Sequence, residues 1–265
     1  MPKVIANGLE TNFQAIPGEP GGELVVFLHG LGTDSLASFH LTLASPVSAA
    51  GIGVLSYDLR GHGRTTRPPT GYRLSDFVAD LDELLDQLRI EQPVHLVGNS
   101  FGGTLAYSYA HTHPERVRSI VSIESEPPTR MWAGRMREVL TNTAGFLALE
   151  DSYEWLEATF GAHHRRLARM AAERIGSTSM VTEIPTGPLM TVEQVRSIGC
   201  PVLSILGHDG YQAEDLQAVT SMLPRGELVV IPDQGHSVLV ERHRMVRDLL
   251  VGWVRKCARR GVARR

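Results

Sequence analysis

The chain has 265 residues, 42% of them hydrophobic and 21% charged, with a formal net charge of −3 at pH 7. That length can bury the core of one domain, or of one domain with an insertion, and the composition excludes disordered and fibrous classes. No apolar run is long enough to span a bilayer, Met1–Gly8 lacks the apolar segment of a signal peptide, and Cys200 and Cys257 form neither a metal nor a redox spacing, so a cytoplasmic setting is expected.

In chain order, Val4–Ala6 and Leu9–Ile16 read as strands joined by an Asn7-Gly8 hairpin turn. Leu24–Leu28 is a buried strand running into His29-Gly30-Leu31-Gly32. Helical spacing extends from about Leu36 to Ala50, with a break expected at Pro46. Gly53–Tyr57 is the next buried strand and delivers Asp58-Leu59-Arg60-Gly61-His62-Gly63-Arg64. Ser75 is the expected cap of a helix whose apolar face runs Val78, Leu81, Leu84, Leu85 and Leu88. Val94–Val97 is a short buried strand, and a helical pattern begins at Thr104. Val117–Ile123 is another strand, ending at Glu124-Ser125-Glu126 and stopped by Pro127-Pro128. From 129 to 199 the alternation lapses into helical sequence, interrupted by Gly176 and Pro185–Pro188. It resumes with a strand at Pro201–Leu206, a helix near Glu214–Met222, a strand at Glu227–Ile231 and an amphipathic helix around Val238–Lys256. Gly252–Arg265 carries six Lys or Arg residues and no acid, which reads as a solvated helix end rather than a nucleic-acid or lipid anchor.

Strands alternating with helices predict an α/β fold with a mostly parallel sheet and helices on both faces. Residues 1–128 and 200–265 would form its core, and 129–199 an inserted helical cap over the strand C-termini, where such sheets bind ligands. The stretch between Val97 and Thr104 carries the chemistry. Gly98-x-Ser100-x-Gly102 has the spacing of a nucleophile elbow, in which a serine sits at the apex of a sharp strand-to-helix turn. Only glycine-sized neighbours two residues away let such a turn close.

With His29-Gly30-Leu31-Gly32, Asp58-Leu59-Arg60-Gly61-His62-Gly63 and Gly235-His236 before the last helix, the elbow makes the chain resemble the α/β-hydrolase superfamily over nearly its whole length. The resemblance implies that His236 is the base for Ser100, because that superfamily's histidine lies between the last strand and the last helix. It implies an acid as well, to hold the imidazole tautomer. The commoner acid position follows the strand Pro201–Leu206, but three residues past Gly207 stands Gly210, and Asp209 is one residue early. The other position, at the end of the preceding strand, is Glu124. One subgroup of haloalkane dehalogenases and zearalenone-type lactonases carry a glutamate there, and Glu124 is preferred to Asp209, with Glu126 third.

Two N–H donors for a tetrahedral oxyanion would come from Phe101 and from the His29–Gly32 loop at Leu31. His29 and His62 are expected to fix loop geometry rather than move protons. No cofactor or metal set is implied, and seven arginines against six acids between Arg130 and Arg174 make no case for a highly anionic substrate. The expected activity is a serine hydrolase acting on an ester, lactone or thioester of a small, largely apolar molecule. Carbon–carbon bond hydrolysis on the same triad, or a non-catalytic small-molecule receptor, are the alternatives.

Overall fold

Four- to eight-residue runs, mostly apolar and punctuated by glycine and proline, form one eight-stranded sheet in the order β1-β2-β4-β3-β5-β6-β7-β8. In the computed structural model, which describes residues 2–210 and 215–262, these strands are β1 (Lys3–Ala6), β2 (Leu9–Ile16), β3 (Leu24–Leu28), β4 (Gly53–Tyr57), β5 (Val94–Asn99), β6 (Val117–Ile123), β7 (Val202–Gly207) and β8 (Gly226–Ile231). Asn7 (φ 48°) and Gly8 (φ 75°) supply the two left-handed residues that a tight hairpin between β1 and β2 needs. β2 also runs antiparallel to β4, and every later pair is parallel.

Side chains alternate across the sheet, so each central strand feeds two cores. Val26, Leu28, Leu96 and Ile120 pack under the helices Leu74–Gln87 and Phe101–Thr112. Val25, Phe27, Val97, Val121 and Ile205 face Phe39, Leu43 and Val47 on one side and Val246, Leu250 and Trp253 of the helix His243–Val262 on the other. Parallel strands end on one edge, so the loops after β3, β4, β5, β6, β7 and β8 converge there.

Local expectations fail at three places. Pro46 does not end the helical stretch: helical backbone runs through it into the segment Ser45–Ala49, behind a π-wound turn at His40–Ala44. Ser75 is not a cap, because the helix starts at Leu74 and the Asp76 carboxylate accepts from the Arg73 N–H (2.8 Å). The last helix is split at Arg242, whose Nε donates to Gln234 Oε1 (2.8 Å), while Gln234 Nε2 donates to Glu241 (2.7 Å). Arg264 and Arg265 lie outside the described residues.

The segment 129–199 is mainly helical: Arg130–Leu147, Glu150–Phe160, Ala162–Gly176, Met180–Glu183 and Val192–Arg196. Thr129 caps the first of these, its hydroxyl accepting from the Trp132 N–H. Leu147, Tyr153, Ala168 and Ala171 make a small core of their own, whereas Trp132, Ala133, Leu140 and Met180 join the main core beneath.

Candidate active site

The helix after β5 begins at Phe101, immediately behind Ser100, whose backbone is forced to φ 52°, ψ −122°. A side chain in that region costs on the order of 1–3 kcal/mol and persists only where its surroundings hold it. Here the Ser100 N–H donates to the Ile123 carbonyl (2.8 Å) at the end of β6. A Cβ on Gly98 would strike the backbone of Gly102 and Gly103, and one on Gly102 would strike the Leu28 carbonyl. Both glycines are therefore steric requirements of the turn.

Ser100 Oγ lies 3.1 Å from His236 Nε2, and His236 Nδ1 lies 3.2 Å from Glu124 Oε2. A carboxylate only accepts, so the hydrogen-bond pattern puts the imidazole proton on Nδ1 and leaves Nε2 to accept from the serine. Glu124 is buried and also takes a left-handed backbone (φ 50°), its N–H donating to Ile205 O (2.9 Å). Its second oxygen, Oε1, accepts from the Gly207 N–H. Gly207 serves twice, because a Cβ there would strike the Gln234 carbonyl of the loop that carries His236. Asp209 lies on the neighbouring loop, but its carboxylate is 69% exposed and bonded to His208 Nδ1 (3.1 Å). The structure thus brings Ser100, His236 and Glu124 into one hydrogen-bonded line and leaves Asp209 outside it.

The His29–Gly32 loop lies against the serine. A Cβ on Gly30 would come within 3.5 Å of Ser100 Cβ, and the Gly30 N–H donates to Asp34 Oδ2 (2.7 Å). The Leu59 N–H donates to His29 Nε2 (2.9 Å), so the His29 proton is on Nδ1 and goes to the Gly30 carbonyl (2.7 Å). Burial holds His29 below the ordinary histidine range, and His62, stacked edge-on against it, well below. Both are neutral parts of the loops.

Among curated proteins, the chain is 34% identical over 250 residues to a Bacillus subtilis (strain 168) protein with the provisional name 2-succinyl-6-hydroxy-2,4-cyclohexadiene-1-carboxylate synthase, covering 86% of this chain and 89% of that one. It is 37% identical over 119 residues to the 2-hydroxy-6-oxo-2,4-heptadienoate hydrolase of Pseudomonas putida, covering 44% of this chain and 42% of that one. A solved structure described as Est816, an N-acyl homoserine lactone degrading enzyme, superposes with a TM-score of 0.74 at 24% identity, over 95% of this chain and 99% of that one. The family model for the alpha/beta hydrolase fold matches residues 23–242. The chain belongs to the alpha/beta hydrolase fold family.

In this alpha/beta hydrolase, two lobes meet in front of Ser100 and Phe101. One, of about 380 Å³, is bordered by His236, Glu124, Glu126, Thr104, Trp132 and Arg135. The other, of about 250 Å³, lies on the Leu31–Gly32 side under Leu140, Ile175, Met180 and Ile184. Met136 and Val139 border both. Of the bulky residues in segment 129–199, only some reach this space. Trp132 and Met180 line it, whereas Met131, Phe146, Trp155, Phe160 and Met170 are on the exposed surface. Sequence reasoning missed Met136, Val139, Leu140 and Thr143. With Trp132 they recur at helical spacing along Arg130–Leu147, and that periodicity was the available signal. Arg174, which also borders the smaller lobe, carried no such signal.

Proposed function

We propose that the protein is a serine hydrolase that cleaves a carboxylic ester, lactone or thioester through an acyl-enzyme. The observation that carries the reading is the line Ser100 Oγ–His236 Nε2–His236 Nδ1–Glu124 Oε2, at 3.1 and 3.2 Å. A serine hydroxyl attacks poorly unless a base takes its proton. His236 takes it as Oγ bonds to the substrate carbonyl carbon, and the Glu124 carboxylate stabilises the imidazolium. The negative oxygen turns toward the N–H groups of Leu31 and Phe101. His236 then gives its proton to the departing alcohol or thiol as the tetrahedral carbon collapses. Water, deprotonated by His236, attacks the acyl-Ser100 bond in the same way and releases the acid.

This chemistry orients the substrate. The leaving group must face the proton donor, so it occupies the lobe bordered by His236, and the acyl group occupies the apolar lobe behind Leu31. Segment 129–199 acts as a cap that roofs both lobes and selects by size, over a core of 1–128 and 200–265. The substrate is a small, largely apolar molecule, and a reducing cytoplasm suits Cys200 and Cys257, which are not joined in a disulfide. No helix of the described residues is long and apolar enough to cross a membrane.

A second reading is hydrolysis of a carbon–carbon bond. The named substrate of the Pseudomonas putida relative contains a ketone and a carboxylate but no ester, so its hydrolysis must break carbon–carbon. A fluorophosphonate label followed by peptide mapping, with a panel of aliphatic esters, lactones, thioesters and vinylogous diketones, tests both. The ester reading expects labelling at Ser100 and turnover of acyl esters; labelling elsewhere, or turnover of diketones alone, refutes it.

A further inference from the structure

Arg174 sits in the last turn of the helix Ala162–Gly176 and is only 4% exposed. Its Nε donates to the Gly61 carbonyl (2.7 Å), and its Nη1 donates to the Gly32 carbonyl. These oxygens belong to two loops, one after β3 and one after β4, and both glycines have left-handed backbones (φ 73° and 75°). Burial, and the neighbouring Arg67 guanidinium, lower the Arg174 pKa. A buried cation normally needs a carboxylate to offset lost hydration. Here both bonds go to main-chain oxygens, which fixes backbone geometry instead.

The loop concerned carries Leu31 between two glycines, and such a segment has wide freedom unless held. On one side the Asp34 carboxylate holds the Gly30 N–H (2.7 Å). On the other side the guanidinium holds the Gly32 oxygen. The two clamps fix the peptide units His29–Gly30 and Gly32–Thr33, one step outside the two that flank Leu31, and one of them comes from segment 129–199, 142 positions along the chain.

We propose that Arg174 is a positioning residue that keeps the Leu31 N–H aimed at the developing oxyanion, so that oxyanion stabilisation depends on the cap being seated. The proposal rests on the reading of Ser100 as nucleophile and Leu31 as oxyanion donor. The planar fork of arginine spans both carbonyls, whereas a lysine ammonium would reach one.

The test uses the full chain with R174A and R174K, checked for fold by near-ultraviolet circular dichroism. Kinetics are measured on a short aliphatic p-nitrophenyl ester. Inhibition is measured with a trifluoromethyl ketone, which adds to Ser100 and forms an oxyanion, and with its methyl ketone counterpart, which serves as the planar comparison. In R174A, kcat should fall about 100-fold with KM within about threefold, the loss expected when one oxyanion donor is withdrawn. Trifluoromethyl ketone affinity should fall by a similar factor while methyl ketone affinity holds. Millimolar guanidinium should restore part of the R174A rate, and R174K should remain at least about tenfold impaired.

If R174A does not fold, R174K carries the same comparison. Rates within threefold of wild type in both variants would overturn the proposal. So would equal weakening of both ketones, which marks a merely structural or substrate-binding role. Wild-type protein that neither labels at Ser100 nor turns over esters would instead defeat the underlying reading, and the proposal with it.

Discussion

Replacing Glu124 by glutamine separates charge from shape at the buried end of the hydrogen-bonded line. The wild-type carboxylate uses its two oxygens differently: Oε1 accepts from the Gly207 N–H, and Oε2 faces His236 Nδ1 at 3.2 Å. Gly207 is a fixed main-chain donor at the end of β7, so the glutamine carbonyl oxygen must stay there. The amide NH₂ is then turned toward His236. It can only donate, so Nδ1 must accept, and the ring proton moves to Nε2, the atom that has to take the Ser100 proton.

The wrong tautomer costs on the order of 10⁴ in kcat in the analogous triad substitution. That corresponds to about 5.5 kcal/mol of barrier at roughly 1.36 kcal/mol per tenfold. Asp209→Asn should change kcat by less than about threefold, because Asp209 is bonded to exposed His208. Steady-state kinetics on an activated ester, with thermal melts to confirm folding, measure both variants. A Glu124→Gln enzyme retaining more than a tenth of wild-type kcat, or a crippled Asp209→Asn enzyme, would refute this account.

Ser100→Ala should fold and lose both labelling and turnover, whereas Ser100→Gly should be equally inactive yet more stable than Ser100→Ala by about 1 kcal/mol, since glycine relieves φ 52°; urea titrations of the two compare them. Trp132→Ala should shift preference among leaving groups at least about tenfold, because Trp132 borders the His236 lobe, and Trp155→Ala should leave kcat/KM within twofold, because its ring packs between Phe146 and Phe160 on the outer surface of segment 129–199. Burial depresses the pKa of His29, His62 and His95 below the ordinary 6.5. Below that value the unfolded chain binds protons that the folded chain refuses, so stability should be unaffected by these groups at neutral pH and fall as pH drops under 6.5. Each contributes up to about 1.4 kcal/mol per pH unit. Denaturant melts at pH 7.5 and 5.5 measure the loss, and equal stability at both would refute it.

Local information carried most of the sheet. Leu24–Leu28, Gly53–Tyr57 and Val117–Ile123 were legible to the residue, because an apolar run bounded by breakers has few other places to go. The elbow was legible for a related reason: Gly98 and Gly102 are demanded by contacts within a few residues or at the adjoining strand end. Helix starts and ends were less so: helical backbone runs through Pro46, Asp76 rather than Ser75 bonds the Arg73 N–H at its helix start, and Arg242 pairs with Gln234, none of which a linear pattern displays.

Which carboxylate meets His236 is a matter of tertiary structure in the strict sense. Glu124 and Asp209 both follow strands that neighbour each other in the sheet, so chain order places both near His236. What separates them is the left-handed turn at Glu124, which sends its side chain beneath the Gly207 amide, while the Asp209 side chain pairs with His208. Segment 129–199 divides in the same way. Its helical character follows from composition, yet whether Trp132 or Trp155 meets the cavity depends on how each helix is rotated against the core. Arg174 is the limiting case, since one arginine among seven gains its place through two carbonyls 113 and 142 positions away. Periodicity and turn chemistry act over a few residues and are written in the chain. The direction of a side chain within a packed interior is set by groups far apart in sequence, and only the folded structure brings those together.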